Sequence, residues 1–441
     1  MLVVRGRRIV LPDGEWPASI HIDGGRIIAI NDLEDKTSVP ADAEVVDAGD
    51  FVVSPGIVDT HVHVNEPGRT EWEGFESATR AAAAGGVTSI VDMPLNSIPA
   101  TTTVSAFDEK RQAARGRCHV DVGYWGGVVP GNEASIDPLA DAGVRGFKCF
   151  LVPSGVDEFP AVDERQLRLA MPILARRQLP LLVHAESPDK ILEHQGNVAD
   201  YRDYAATRPA AAEVDAIRMM ARLARETGAH VHVVHVSSAG GVEAIVEARA
   251  AGAPITGETC PHYLMFAASG IPDGATEYKC APPIRDEEDR DALWDAIRGG
   301  ALSLIASDHS PAPAALKHPG DFVRAWGGIA SLELALAAVW TGASARGCTP
   351  ADIGRWMSEA PASLAGWTGR KGRIAPGCDA DLVVWDADAE FTVEPGALQQ
   401  RHKMTPYAGW RLRGVVKTTF VRGRRVWDNG RLAMPFSGQQ L

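Results

Sequence analysis

Between residues 53 and 346 the chain repeats one unit: a short apolar, β-branched run followed by a stretch with helical spacing. The runs are 53–60, Val87–Met93, Val120–Val128, Val144–Leu151, Leu181–His184, His230–Val236, Pro254–Glu258 and Leu302–Asp308. Helical stretches follow them at 71–84, 105–115, 134–142, 163–178, 211–227, 240–251, 286–298 and 329–346. A helix that carries the chain back between two strands makes those strands parallel. Eight such units predict an α/β fold, a (β/α)8 TIM-like barrel. The ends of the chain read differently. Leu2–Val4, Arg8–Val10, Ser19–Ile22 and Arg26–Ile30 are short strands punctuated by Asp13-Gly14 and Asp23-Gly24-Gly25, which are hairpin-turn signals. The same texture returns in Asp381–Trp385, Val415–Val421 and Arg425–Trp427. Neither end alone has enough strands for a stable core. The expectation is a small β-sandwich domain built from residues 1–52 and 372–441, flanking a barrel of residues 53–371.

Composition narrows the partners. The formal net charge is −13 with no long block of like charge, which argues against nucleic acid and against an anionic membrane surface. Met1–Val10 carries Arg5, Arg7 and Arg8 with no apolar core behind them, unlike a signal peptide. No apolar run approaches a membrane span. The cysteines at 118, 149, 260, 280, 348 and 378 form no CxxC pair and read as reduced thiols of a cytoplasmic protein.

A barrel presents its chemistry at the C-terminal ends of its strands. The first run ends in Asp59-Thr60-His61-Val62-His63. Residues two apart on a strand share a face, so Asp59, His61 and His63 line one side. Two imidazoles there are either half of a metal site or two exposed histidines at a strand end. The other ends offer Lys148, His184, His235 and Asp308. His232 and His235, three apart, are expected to face opposite sides, with His235 nearer the rim and turned inward. Each residue alone has an ordinary explanation: Lys148 could snorkel, Asp308 could cap a turn, and a lone histidine is usually a hydrogen-bonded core residue. Six strand-end placements in the right register predict a shared metal site.

At these residues the chain resembles a known family. Asp59–His63, Gly146–Phe150, Val183–Glu186, Val234–Ser238 and Ser307–Ser310 are similar to the motifs of the amidohydrolase superfamily, in its branch of cyclic amidases. That branch holds dihydroorotases, hydantoinases or dihydropyrimidinases, and allantoinases, and the resemblance extends over essentially the whole chain. It implies two divalent metal ions, most commonly zinc, with cobalt, manganese or iron as alternatives. His61, His63 and Asp308 would hold one ion, and His184 and His235 the other. Lys148, carrying carbon dioxide as an N-carboxyl group, would bridge both. A bridging hydroxide would attack the ring amide, with Asp308 as general base and then general acid. His262 and His309 are expected to orient ligands. The resemblance also implies a cytoplasmic homotetramer whose partner is a small-molecule substrate.

The loops bear on which ring is opened. Dihydroorotases usually carry an arginine where this chain has Asn65, which cannot pair a substrate carboxylate. Hydantoinases usually carry a tyrosine where it has Pro153, so a hydroxyl contact is missing. Trp72–Glu76 through Met93–Thr101, Glu258–Tyr263 with Lys279–Arg285, and Arg324–Ile329 are similar to allantoinases. Opening of the hydantoin ring of allantoin to allantoate is therefore the expected reaction. Asn96 either contacts the substrate or forms the turn before Pro99. By similarity, backbone groups near Ala281 and Gly327 would hold the ring amide. A hydantoinase or dihydropyrimidinase is the alternative, a dihydroorotase fits less well, and a non-catalytic dihydropyrimidinase-like scaffold is the reading from a different class. Scaffolds of that kind lack the metal ligands, which this chain has.

Overall fold

A computed structural model describes every residue except 36–38 and 40. Eight parallel strand positions form the barrel: Ile57–Val62, Val87–Asp92, Asp121–Tyr124 with Gly126–Gly127, Phe147–Phe150, Leu181–His184, Val231–Val233, Ile255–Thr259 and Leu304–Ile305. The third strand is split by Trp125. Its first half pairs with Val87–Asp92 and its second with Phe147–Phe150. A parallel bridge between Val62 and His309 closes the ring. The eight expected helices are present as Phe75–Ala84, Val104–Ala114, Glu133–Ala142, Glu164–Arg177, Ala210–Thr227, Ala239–Ala250, Glu287–Arg298 and Ala335–Ala345. Their starts have local causes. Asp163 and Gln166 form a reciprocal capping box, and Ser238 accepts from the Gly241 N–H. Among the described residues no helix is long and apolar enough to cross a membrane.

Strands from both ends of the chain share one nine-stranded sheet. Leu2–Leu11 is one strand with a bulge between Gly6 and Ile9, where two short strands were expected. Gly6 lies between those halves, but the ladder with Gly14–Asp23 only shifts register there and continues past the bulge. Val52–Pro55 lies in this sheet, between Leu2–Leu11 and Leu382–Thr392, so the expected run 53–60 is two strands. Gly56 divides them: a Cβ there would lie 2.3 Å from the Thr88 side chain, and only glycine lets the chain pass from sheet to barrel at that point. Alternation along the strands serves two cores. Val53, Leu382 and Val384 join Val4, Ile9, Ile20 and Phe420 on one face. Their neighbours Val52, Val383 and Trp385 pack with the barrel helices on the other.

A buried charge cluster ties the sheet to the barrel. The Lys371 ammonium donates to Asp381 at 2.6 Å and Asp121 at 2.7 Å, and lies 3.3 Å from Asp379. Arg422 pairs with Asp121 as well, and the Asp121 carboxylate accepts the Gln439 N–H at 2.8 Å. Barrel strand, terminal sheet and C-terminal tail thus meet on one aspartate. Arg370 lies 3.0 Å from Asp379, so Lys371, Arg422 and Arg370 set three cations against the three carboxylates, and a grouping that resembles a cation site is an internal ion network.

Candidate metal centre

A cavity of about 570 Å3 opens at the C-terminal ends of the barrel strands, and His61, His63, Lys148, His184, His235 and Asp308 all line it. The Asp308 carboxylate lies 3.1 Å from His61 Nε2 and 3.5 Å from His63 Nε2. Across the floor, His184 Nδ1 and His235 Nε2 are 3.0 Å apart. Lys148 is fully buried, and its Nζ has no hydrogen-bond partner among the described residues. The backbone aims these groups. His235 (φ 44) and Asp308 (φ 46) adopt left-handed conformations just past their strands, which turn the side chains out of strand register and into the mouth.

Electrostatics separate the six groups. Burial works against charge on His61, but Asp308 and Glu258 outweigh it and raise its pKa to about 9. Burial pushes His63 down to about 4 and His235 well below the usual imidazole range. Burial also lowers Lys148 to about 8, against the pull of Asp308 and Glu258. Asp308 is held well below the carboxylate range, the charge of His61 overcoming its burial. Burial holds His63, His184 and His235 toward the neutral form, and a cation would displace the proton that Asp308 and Glu258 keep on His61. With the ionised Asp308 these are the donors of a divalent-cation site. The ligand atoms of His61, His63 and Asp308 fall within 4.8 Å of one another, so the donor set fits the metals that the family resemblance implies.

Residues behind the rim hold it in place, and two of them escaped the sequence reading. Glu258 Oε1 is 2.6 Å from His61 Nδ1 while its Oε2 is 3.1 Å from His232 Nε2. Glu186 bonds His184 Nε2 at 2.6 Å and is itself held by Arg208. Glu186 follows His184 by two residues and Glu258 ends an expected strand, so position was the available signal. The expected opposition of His232 and His235 is corrected: both turn inward. The strand ends at Val233 and His235 has left it, so alternation no longer applies.

The remaining expected site residues divide. His309 directs its ring away from the rim, with Nδ1 accepting the Ser331 N–H at 3.1 Å and Nε2 3.6 Å from Glu73. Its backbone instead pairs with both strand-one histidines, donating to the His61 carbonyl and accepting the His63 N–H. His262 is fully buried beside Cys260 and Asp308, with neither ring nitrogen bonded among the described residues. Asn96 (φ 64) lines the cavity, its Nδ2 3.4 Å from His63 Nδ1 and its Oδ1 unpartnered among the described residues. Ala281, Gly327 and Pro153 line the cavity too. Asn65 does not: it is buried, and its amide donates to the Pro311 carbonyl at 3.4 Å.

The amidohydrolase family pattern matches residues 52–426. An allantoinase of Streptomyces avermitilis is 48% identical, over 98% of this chain and 97% of its own. An allantoinase of Arabidopsis thaliana is 42% identical, over 99% of this chain and 90% of its own. Among solved structures, the L-hydantoinase of Arthrobacter aurescens superimposes with a TM-score of 0.94 at 33% identity, covering 100% of this chain and 99% of that one. The dihydropyrimidinase of Brevibacillus agri gives 0.90 at 28%, covering 100% and 98%. The chain belongs to the amidohydrolase family of metal-dependent hydrolases, and within it stands with the allantoinases.

Proposed function

We propose that this enzyme opens the hydantoin ring of allantoin to give allantoate. The observation that carries this reading is the near-full-length similarity to allantoinases in a chain whose cavity is walled by Pro153 and is without Asn65. Neither the tyrosine nor the arginine of the sister enzymes is available. The likeness to solved hydantoinases favours other hydantoins as the second reading.

His61, His63 and Asp308 would hold one divalent ion, zinc in this reading, and His184 and His235 the other. Lys148 would bridge them as a carbamate. An uncharged amine adds carbon dioxide with loss of a proton, and burial with no hydrogen-bond partner among the described residues shifts Lys148 toward that form. When bound, the ions supply Lewis-acid activation of a water and of the ring carbonyl. Asp308 takes the proton from the water as it adds to the ring carbonyl carbon. As the C–N bond breaks, the same carboxyl delivers that proton to the leaving nitrogen. Asn96 and the peptide groups of Ala281 and Gly327 hold the ring, and His262 and His309 support the residues around it. The assignment to a cytoplasmic homotetramer belongs to the same proposal, and sedimentation velocity measures the assembly.

Steady-state assays of the metal-loaded enzyme on allantoin, hydantoin, dihydrouracil and dihydroorotate test the substrate. The highest kcat/KM is expected on allantoin. A higher value on any of the other three refutes the assignment.

A further inference from the structure

The loop 323–328 forms one wall of the cavity, and two lysines hold it by its carbonyls. Lys279 Nζ donates to Ala325 at 2.6 Å and to Val323 at 3.2 Å. Lys317 Nζ donates to Trp326 at 3.1 Å and also to Gly328. The Trp326 N–H is taken by the Leu316 carbonyl at 2.7 Å, and the Gly328 N–H by the Lys279 carbonyl at 2.8 Å. Gly328 itself is fixed. A Cβ there would stand 2.3 Å from the Ser310 carbonyl oxygen, at a φ of +148°. The Trp326 N–H and C=O and the Gly328 N–H and C=O that flank Gly327 are therefore engaged, whereas its own N–H and C=O have no partner among the described residues. Gly327 lines the cavity.

Lys317 is only 4% exposed, and no carboxylate pairs with it among the described residues. An ammonium buried against carbonyls alone is costly, and a neutral donor could pin the loop as well. Its position has a specific consequence. The Trp326 carbonyl that Lys317 bonds belongs to the same peptide unit as the Gly327 N–H. A charge on the oxygen side of a peptide draws electron density across it and makes the N–H a stronger donor.

We propose that Lys317 is a positioning residue for ring recognition, its ammonium polarising the Trp326–Gly327 peptide so that the Gly327 N–H binds a ring carbonyl oxygen of the cyclic amide. This rests on the reading that the cavity takes a hydantoin-type ring, but not on which such ring is preferred. Burial lowers Lys317 only to about 8, which leaves it largely charged at neutral pH.

The test compares wild type, Lys317→Gln and Lys317→Met as metal-loaded enzymes, on both allantoin and hydantoin. Glutamine keeps neutral N–H donors and loses the charge. KM is expected to rise about threefold in Lys317→Gln and about tenfold in Lys317→Met, with kcat within about twofold, because ring binding is what weakens. If Lys317→Met does not fold, Lys317→Gln decides alone. A wild-type KM in Lys317→Gln, or a loss confined to kcat, overturns the proposal. A wild-type enzyme that opens neither ring refutes the reading of the cavity, and this inference falls with it.

Discussion

Glu258 joins two histidines at once: its carboxylate is 2.6 Å from His61 Nδ1 and 3.1 Å from His232 Nε2. The first contact leaves His61 Nε2 facing Asp308 and the cavity. The second fixes the carboxylate from below, through a ring that is itself held by Thr256 at 2.8 Å. His61 is thus oriented by a column of side chains running down the inside of the barrel.

Glu258→Gln keeps the shape of this contact and removes its charge. Loss of a carboxylate behind a metal-binding histidine costs about 10- to 100-fold in metal affinity. That loss is expected here, measured by competition with a chelator, while the protein stays folded. Unchanged affinity would show that His61 needs no carboxylate behind it.

Lys371 is the one cation that reaches all three of Asp121, Asp379 and Asp381 in their buried cluster, among the described residues. Lys371→Met leaves those carboxylates short of a cation. Removing one partner from such a network costs about 3–5 kcal/mol. Denaturant unfolding should show a loss of that order, read as a lower midpoint. A variant as stable as wild type would mean that the arginines on the same carboxylates, Arg422 on Asp121 and Arg370 on Asp379, compensate.

Glu333 supplies a pH dependence away from the metal centre. Its carboxylate accepts the Gln399 N–H at 2.5 Å, and burial raises its pKa from 4.5 to about 7. A raised carboxyl pKa means that the folded chain holds the proton more tightly than the unfolded one. Its contribution to stability is full below about 4.5 and is lost as pH rises through about 7. The shift corresponds to about 3 kcal/mol, which partial solvent screening trims to about 2 kcal/mol. Relative to Glu333→Gln, wild type should lose about that much stability between pH 4.5 and 8. Parallel stability curves for the two proteins would contradict this.

Much of this molecule is legible in its sequence, for reasons that particular residues make plain. Strand–helix alternation survives in composition because each strand is buried on both faces and each helix on one, so eight units could be counted. His61 and His63 could be read because they sit at the end of a regular strand. Legibility ends where the backbone leaves regular geometry. His235 and Asp308 sit at positive φ, and no alternation rule tells which way they turn. Gly56 divides what reads as one strand, because the clash that requires glycine lies with Thr88, thirty-two residues away in the chain. Glu186 and Glu258 look like ordinary strand-end acids until His184 and His61 are seen against them. Lys317 gives no signal at all, since the carbonyls it serves are backbone atoms of a loop.

The metal content of the purified chain tests the proposed two-ion centre bridged by Lys148 most directly. Two divalent ions per chain are expected in wild type, falling to one or fewer, with loss of ring opening, in a folded Lys148→Ala variant. A wild-type chain holding fewer than two ions, or a Lys148→Ala variant that keeps both ions and full activity, would contradict the account.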